Sequence, residues 1–333
     1  MRKDLQVRDP GNPAPVFILL GPTASGKTAL LEELFDPALS PAPVEIISAD
    51  SMQVYRGMDI GTAKPDPALR NRIPHHLIDI RDPSEQFNAG DFVRLAHRAC
   101  GEIRSRSRLP VISGGTGFYL RSFIFGLSPA PPSNGALRGA LKEELAQKGP
   151  GPLFEELGRR DPESARRIHI NDTYRLLRAL EVCRSSGLPL SSFSPPAAPR
   201  SGYRFLIVGI RRPRNELYRL VAARCDDMFR RGLYGEVRGL FQRGYTPRDP
   251  GLRAIGYREF FIETQSGYEI SGDIPGVKNL VERNSRHYVK RQETFFSSIP
   301  QVVWVSVATG RKTLDLLRGL IHTFVNSVAY KEI

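Results

Sequence analysis

The chain has 333 residues, of which 40% are hydrophobic and 25% charged, so it can bury a large core and has the composition of a globular protein. Lys and Arg number 48 against 35 Asp and Glu, a net charge of +13 that points to an acidic partner only where it clusters. The longest early apolar run, residues 16–20, is too short to cross a bilayer, and residues 1–15 lack the apolar core of a signal peptide, so we expect no membrane partner. Three cysteines without a CxxC pair indicate neither a zinc site nor a disulfide framework, so we expect a cytoplasmic protein.

Short apolar runs and helical patterns alternate in the first third of the chain. Residues 16–20, 44–48 and 111–113 are predicted to be buried strands. Residues 29–35 and 92–103 have the spacing of helices. Strands that alternate with helices predict an α/β fold with a parallel sheet, in which ligands bind beyond the carboxyl ends of the strands.

Two proline-rich segments, residues 128–133 and 194–199, enclose a charged helical stretch, so we expect an inserted helical subdomain. Sheet-like sequence resumes at residues 205–210, with a last strand predicted at 302–305 and a last helix at 314–328. The predicted segments are a flexible tail over residues 1–14, the first part of an α/β core over 15–126, the insertion over 127–200, and the second part of the core with basic helices over 201–333.

Eight residues between the first strand and the first helix fit the phosphate-loop pattern G-x-x-x-x-G-K-[ST]. They are Gly21, Pro22, Thr23, Ala24, Ser25, Gly26, Lys27 and Thr28. A chance match in a chain of this length has odds on the order of 1%. Backbone N–H groups in such a loop bind phosphate oxygens, Lys27 adds a positive charge, and the Thr28 hydroxyl can bind Mg²⁺. The motif leaves open whether the ligand is a nucleoside triphosphate or an organic diphosphate.

Asp50 follows the second predicted strand and is the candidate general base. A carboxylate at this place can accept a proton from a nucleophile, bind Mg²⁺, or cap the turn that follows. Asp79 also follows an apolar pair and is a rival for the same roles.

Longer stretches around these residues resemble the tRNA dimethylallyltransferases. The matching motifs are the phosphate loop, residues 47–65 (ISADSMQVYRGMDIGTAKP), 74–79, 114–119, 175–182, 253–258 and 290–292. The resemblance covers about residues 15–296. It implies a P-loop NTPase/kinase-like parallel sheet core with a helical insertion subdomain, and transfer of a dimethylallyl group from its diphosphate to N6 of the tRNA adenosine immediately 3′ of the anticodon.

The resemblance also assigns roles to individual residues. It gives residues 21–28 to the diphosphate, Asp50 to the N6 proton with Lys27 and Thr116 as further catalytic residues, and Thr28 to Mg²⁺. The residues that it places against tRNA are Asp50, Ser51, Met52, Gln53, Thr116, Arg138, Tyr174, Arg175, Leu176, Leu177, Arg178, Arg253, Ala254, Ile255, Gly256, Tyr257, Arg258, Lys290, Arg291 and Gln292, continuing to Ser297.

Three positions expected to contact tRNA depart from the family pattern. Tyr174 stands where a glutamine is usual, Phe295 where a tryptophan is usual, and Ser297 where an arginine is usual. The implied partners are the anticodon stem-loop of tRNA and dimethylallyl diphosphate. We expect the enzyme to be a monomer.

The residues themselves also favour an acidic partner. Helical spacing from residue 283 places five basic side chains within an arc of roughly 140° and apolar side chains on the opposite side. The five are Arg283, Arg286, His287, Lys290 and Arg291. Such a face can bind RNA phosphates or be merely solvated. Arg175 and Arg178 form a second basic pair at i,i+3 spacing in the insertion.

Three other functions share part of this pattern. An adenylate prenyltransferase has the same loop and aspartate but acts on free nucleotides, and the long insertion and the basic C-terminal half argue against it. A P-loop kinase or ATPase would use the loop on ATP, and comparison of ATP with dimethylallyl diphosphate binding separates that case. A non-catalytic RNA-binding module has no use for a complete phosphate loop beside Asp50.

Overall fold

A sheet of six parallel strands forms the centre of the computed structural model, which describes residues 13–36, 39–40, 42–306 and 311–327. The strands of the chain are β1 (Ala14–Leu20), β2 (Val44–Ser48), β3 (His75–His76), β4 (Leu109–Gly114), β5 (Tyr203–Arg211), β6 (Phe261–Thr264), β7 (Gly267–Ile270) and β8 (Val303–Ser306). The sheet has the order β3-β2-β4-β1-β5-β8, and β6 and β7 pair separately as an antiparallel hairpin. Because β1 lies at the middle of the sheet, it is buried between β4 and β5 along its length.

Helices alternate with the strands along the chain. They are α1 (Lys27–Leu34), α2 (Pro67–Arg72), α3 (Ala89–Ser105), α4 (Gly117–Phe125), α5 (Gly135–Lys148), α6 (Pro150–Arg160), α7 (Pro162–Arg167), α8 (Thr173–Ser186), α9 (Arg214–Arg230), α10 (Leu233–Gln242), α11 (Ile274–Phe296) and α12 (Arg311–Asn326). Alternation along β1 sends Phe17 and Leu19 into one apolar layer, shared with α1 and α12. Among the aromatic side chains elsewhere in the core, Phe92 of α3 stacks on Tyr119 of α4 at 4.8 Å.

The carboxyl ends of three adjacent strands bring the predicted motifs together. Strands β2, β4 and β1 are neighbours in the sheet, so the segments that follow them meet at one edge. A side chain on Gly114 would lie 2.1 Å from the carbonyl oxygen of Ala49. The loops after β2 and β4 therefore approach more closely than any residue but glycine allows.

The prediction of an α/β fold with a parallel central sheet is confirmed, with strand ends shifted by one or two residues. The structure starts β1 at Ala14, inside the predicted tail, and the rest of that tail, residues 1–12, lies outside the described residues. The two-residue strand β3 and the hairpin of β6 and β7 were not predicted, because strands of two to four half-exposed residues leave no apolar run to recognise. Residue 328, the predicted end of the last helix, also lies outside the description.

The 47–65 motif is held in place by a half-buried carboxylate and a buried tyrosine. The Glu236 carboxylate of α10 accepts hydrogen bonds from the amides of Asp59, Ile60 and Gly61, at 2.8, 2.8 and 3.2 Å. The hydroxyl of Tyr257, which is fully buried, donates to the same carboxylate at 2.5 Å. Two motifs that are about 200 residues apart in sequence are therefore joined through one side chain.

Residues Phe125–Pro199 form a compact unit of their own, and the residues before and after them form the other. The core of this second unit is built from leucines of α5, α6 and α8. At its centre Glu181 is fully buried and accepts from Ser133, from the Asn134 amide, and from the guanidinium groups of Arg138 and Arg178. Because every contact of this charge is a hydrogen bond or an ion pair, its burial is compensated.

None of the helices in the described part of the chain is both long and apolar enough to span a membrane.

Close packing at Gly61 predicts a large effect of a single methyl group. An alanine side chain at this position would lie 2.4 Å from the buried Tyr257 ring, so Gly61→Ala should lower the free energy of unfolding by about 1–3 kcal/mol. Gly101 in α3 has no atom within 4 Å of an added Cβ, so Gly101→Ala should raise it by about 0.5–1 kcal/mol. Urea unfolding of both variants measures the difference, and equal effects would contradict the proposed contact.

Candidate active site

The phosphate loop is an open cradle of backbone amides between β1 and α1. Ala24 and Gly26 adopt left-handed φ angles of 61° and 93°, which turn the loop around its own centre. Gly26 caps α1 without any side-chain hydrogen bond, so the first amides of the helix remain available to a ligand. The loop is supported from behind by Arg212, which follows β5 and donates to the Ser25 carbonyl oxygen at 2.8 Å.

Lys27 is turned onto the loop itself. Its ammonium group donates to the carbonyl oxygens of Gly21 and Pro22, at 2.8 and 2.9 Å. Burial, together with the positive charge of Arg224 and against the negative charge of Asp50, lowers the pKa of Lys27 from 10.5 to about 7. A bound anion next to Lys27 would favour the charged form of its side chain.

Two adjoining cavities meet at Asp50. The larger, of about 320 Å³, is lined by the phosphate loop and the ends of β2 and β4, and the smaller, of about 240 Å³, lies on the other side. The residues that line both are Thr23, Asp50, Thr62, Arg224 and Tyr288. Asp50 is therefore positioned between a site for phosphates and a second compartment.

The Asp50 carboxylate divides its two oxygens between structure and solvent. Oδ1 accepts from the amides of Met52 and Gln53, at 2.8 and 3.3 Å, so the turn-capping role considered for Asp50 is present. Oδ2 receives no hydrogen bond from any residue that the structure describes. One oxygen thus fixes the orientation of the carboxylate while the other faces the cavities, which is the arrangement that a general base requires.

Asp79, the rival base, is occupied by ion pairs. Lys64, whose side chain is 3% exposed, donates to its Oδ1 at 2.5 Å, and Arg70 donates to its Oδ2 at 3.0 Å. Lys64 also donates to Asp59 at 2.6 Å. Asp79 lines neither of the two cavities, so its described contacts hold the 47–65 segment rather than a ligand.

Thr116 stands beside Asp50 without lining either cavity. Its Oγ1 accepts from the Ser51 amide at 3.0 Å, and its own amide donates to the Ala49 carbonyl oxygen at 3.1 Å. The hydroxyl of Tyr288 lies against the Thr116 side chain, and burial and the Asp50 charge raise the pKa of Tyr288 to about 12. The contacts of Thr116 in this structure therefore fix the turn that carries Asp50.

The sequence analysis did not identify Arg224 and Tyr288 as site residues. Arg224 lies within α9, in a stretch that carries no motif, and reaches the site only because α9 packs on α11. Burial lowers the pKa of Arg224, and the Asp50 charge opposes that effect. Tyr288 was expected on the packed side of its helix, and it instead faces both cavities.

Most residues expected at the tRNA interface in the larger unit surround the second cavity. Those that line it are Asp50, Ser51, Met52, Arg253, Ala254, Ile255, Arg258 and Arg291, of which Arg253, Arg258 and Arg291 are exposed. Apolar side chains of Val221, Cys225 and Met228 line the same cavity. It therefore combines an apolar interior with exposed cations.

Several residues that the resemblance places against tRNA are buried instead. Tyr257 is fully buried under Gly61. Gln292 is 4% exposed and bonded to two backbone groups. Leu176 and Leu177 belong to the core of the second unit. The side chains of these four residues are packed inside the protein in this structure. Gln53 is only half-buried, and it accepts from Ser48 Oγ at 2.8 Å and lines the larger cavity.

In the second unit, other residues that the resemblance places against tRNA are exposed. Tyr174 is 75% exposed, and the guanidinium of Arg138 lies 5.0 Å from the centre of its ring. Arg138 is itself held by the buried Glu181 and donates to the Tyr174 carbonyl oxygen. Arg175 is exposed on the next position of α8. One face of the Tyr174 ring is therefore supported by a fixed cation.

Helix α11 has one charged and one packed face, as predicted. Arg283, His287, Lys290 and Arg291 are exposed, whereas Val281, Val289 and Phe296 are buried. Arg286 differs from its neighbours, because it pairs with Glu282 and lies over the ring of Tyr218 at 5.5 Å. The exposed positive charge of this face is thus carried by Arg283, Lys290 and Arg291, with the His287 side chain beside them.

Comparison with known proteins gives a consistent result. A family model described as IPP transferase matches residues 53–299. The chain is 44% identical over 294 residues to the tRNA dimethylallyltransferase 2 of Geotalea uraniireducens, which covers 87% of this chain and 91% of the relative.

Solved structures extend the similarity to the fold. The chain is 33% identical to the tRNA isopentenylpyrophosphate transferase of Bacillus halodurans, with a TM-score of 0.67 over 96% of this chain and 99% of that one. A eukaryotic dimethylallyltransferase acting on tRNA has a TM-score of 0.73 over 94% of this chain and 80% of its own, but at 23% identity it shows the shared fold alone.

The lowered pKa of Lys27 predicts that anion binding takes up a proton. Lys27 is charged below pH 7 and mostly neutral above it, and a bound anion raises its pKa, so affinity for inorganic diphosphate should fall as the pH rises through 7. Lys27→Met should bind the anion more weakly. Calorimetry at pH 8 in buffers of different ionisation enthalpy counts the protons, and the variant corrects for the titration of the diphosphate. Equal uptake in both proteins would exclude Lys27 as the group that titrates.

Proposed function

Because the chain belongs to the IPP transferase family, we propose that it transfers a dimethylallyl group from dimethylallyl diphosphate to N6 of the tRNA adenosine immediately 3′ of the anticodon, with release of diphosphate. The names of its relatives support this reaction. The observation that carries the proposal is the position of Asp50, with one free oxygen, between a cavity lined by the phosphate loop and a second cavity with exposed cations. The cavity lined by the phosphate loop suits the diphosphate. The cavity with exposed cations suits an adenine that is part of an RNA chain.

The phosphate loop would stabilise the leaving group. As the bond between the allylic carbon and the diphosphate oxygen breaks, negative charge develops on the diphosphate. Residues 23–28 of the loop, including Lys27, and Arg224 line the cavity where this charge would develop. Ser25 Oγ is buried there without a hydrogen-bond partner among the described residues, and a phosphate oxygen would supply one.

Asp50 would act on the nucleophile. N6 of adenine attacks the allylic carbon and must lose a proton as the new C–N bond forms. Oδ2 of Asp50 is free to accept that proton, while Oδ1 stays bonded to the turn. Thr116 would assist through the Ser51 amide that it holds next to the carboxylate. A contact between Thr116 and the adenine itself stays a prediction.

Mg²⁺ fits the donors that face the larger cavity. The described residues contain no cluster of three or more acidic, histidine or cysteine ligands, and a Mg²⁺ ion bound largely through substrate phosphates needs none. Thr28, the predicted ligand, lines this cavity, and its hydroxyl would supply one hard oxygen while the substrate phosphates would supply others. When bound, the ion would neutralise charge on the departing diphosphate.

Two surfaces support tRNA as the acceptor. In the larger unit, the exposed cations of α11 can bind phosphates next to the second cavity. In the second unit, the Tyr174 ring on its Arg138 support suits contact with an unpaired base. An anticodon-loop base is already unpaired, so its entry into a pocket costs less than extrusion from a duplex. The cytoplasm, where tRNA functions, is the compartment that this activity implies.

The proposal is tested by incubating tRNA with labelled dimethylallyl diphosphate and Mg²⁺, with nucleoside analysis of the product. Prenylated adenosine next to the anticodon is the expected result. AMP in excess serves as a competitor, and transfer of the label to AMP instead of tRNA would identify an adenylate prenyltransferase. Tight binding of ATP with release of phosphate would identify a kinase or ATPase.

Loss of the base should affect turnover more than binding. Asp50→Ala should lower kcat by about 10²-fold or more, since it removes the proton acceptor, and should leave the dissociation constant for tRNA nearly unchanged. Asp315→Ala on α12 is the matched control, because its side chain is exposed and lies outside both cavities. Single-turnover kinetics separates the two effects. A kcat for Asp50→Ala within a few-fold of that of the unmodified enzyme would show that Asp50 is not the proton acceptor.

The basic face of α11 predicts a salt-dependent affinity for tRNA. Removal of each cation that binds an RNA phosphate should reduce the slope of log affinity against log salt by about 0.7–0.9. Arg283→Ala/Lys290→Ala should therefore reduce this slope by the amount expected for the loss of one or two cations. Arg94→Ala/Arg98→Ala on α3 removes the same charge outside both cavities and should leave the slope unchanged. Equal slopes for the two double variants would argue that α11 does not bind the RNA backbone.

A further inference from the structure

Gln292 lies on α11 between the reactive loops and the RNA-facing side of the helix. Its neighbours Lys290 and Arg291 are exposed, whereas Gln292 is 4% exposed and lines the phosphate cavity. The side chain therefore points away from the surface that meets solvent. A residue so placed can act on the reaction only through the groups that it touches.

The carboxamide of Gln292 joins two loops that follow different strands. Its Oε1 accepts from the Thr23 amide of the phosphate loop at 2.9 Å, and its Nε2 donates to the Gly115 carbonyl oxygen at 2.8 Å. A side chain on Gly115 would lie 2.4 Å from Nε2, so the approach requires glycine at that position. Both ends of the carboxamide are therefore bonded to backbone groups, and the side chain also makes a hydrogen bond with Tyr288.

We propose that Gln292 is a positioning residue that clamps the phosphate loop to the loop that carries Thr116, and that it does not contact RNA. The inference rests on the proposed function for the reaction that it serves, and it replaces the tRNA contact that the family resemblance assigns to this residue. A neutral side chain with a donor and an acceptor at the same reach is required here. Glutamate lacks the donor, methionine lacks both, and asparagine is one methylene shorter.

The clamp sets the distance between the phosphate loop and the turn that carries Asp50. The phosphate loop positions the leaving group, and Thr116 fixes the turn that carries Asp50 through the Ser51 amide. If the clamp is removed, the allylic carbon and the base lose their mutual alignment, and a misplacement of about 1 Å costs about 10²-fold in rate. The expected loss is therefore in kcat and not in the affinity for tRNA.

Two variants of nearly equal size test the clamp. Gln292→Met removes both hydrogen bonds and should lower kcat by about 10–10²-fold, with KM for tRNA within about twofold of the unmodified enzyme. Gln292→Glu keeps the acceptor for Thr23 but, when ionised, opposes the Gly115 carbonyl oxygen. Once protonated, its carboxyl group restores both hydrogen bonds, and burial raises the pKa of such a carboxyl group. Its kcat relative to the unmodified enzyme should rise as the pH falls, whereas the ratio for Gln292→Met should stay flat.

Lys290→Ala provides the contrasting pattern, because removal of a phosphate-binding cation should raise KM for tRNA. If Gln292→Met also raises KM for tRNA and keeps kcat, Gln292 binds RNA and the proposal is wrong. A flat pH ratio for Gln292→Glu would equally overturn it, and this variant carries the test if Gln292→Met does not fold. Failure of the proposed function itself is separate, since the unmodified enzyme would then not prenylate tRNA at all.

Discussion

Lys27 and Arg224 face the same cavity, and the repulsion between these two partly buried cations is the constraint on which the site depends. Burial lowers the pKa of both groups, and each is stabilised by the Asp50 carboxylate. The Lys27 ammonium donates to the carbonyl oxygens of its own loop. In the proposed function, a diphosphate would offset the positive charge of both groups, and the negative charge that grows on it as it departs would offset more. The cavity would then be most complementary to the leaving group late in the reaction.

A second constraint is that the loops around this charge must not move apart. The segment after β2 has no regular structure of its own between Asp50 and α2, yet it carries the candidate base. Two sets of side-chain contacts fix this segment: Glu236 of α10 accepts from three successive amides, and Lys64 of the segment itself joins Asp59 to Asp79. Such anchoring replaces the ladder of hydrogen bonds that a strand or helix would supply, and it keeps Asp50 at the junction of the two cavities.

The residues of one motif divide into those that face a ligand and those that hold the others. In the 253–258 motif, Arg253 and Arg258 are exposed at the second cavity, whereas Tyr257 is buried and bonded to Glu236. In the second unit, Arg175 is exposed while Leu176 and Leu177 form core. A motif match identifies both kinds of residue without separating them, because burial depends on which neighbours pack against each side chain.

The sequence by itself determined the features whose physics is local. The phosphate loop is eight consecutive residues, its flanking strand and helix follow from apolar spacing, and parallel strands bring Asp50 to the same edge as the loop. Only the tertiary structure decided which of Asp50 and Asp79 is free, because the ion pairs to Lys64 and Arg70 depend on the folded loop. Only the tertiary structure showed that Arg224, Tyr288 and Gln292 lie at the site. Helix packing brings these residues to the phosphate loop from about 200 or more positions away in the chain. No spacing along the chain encodes such contacts.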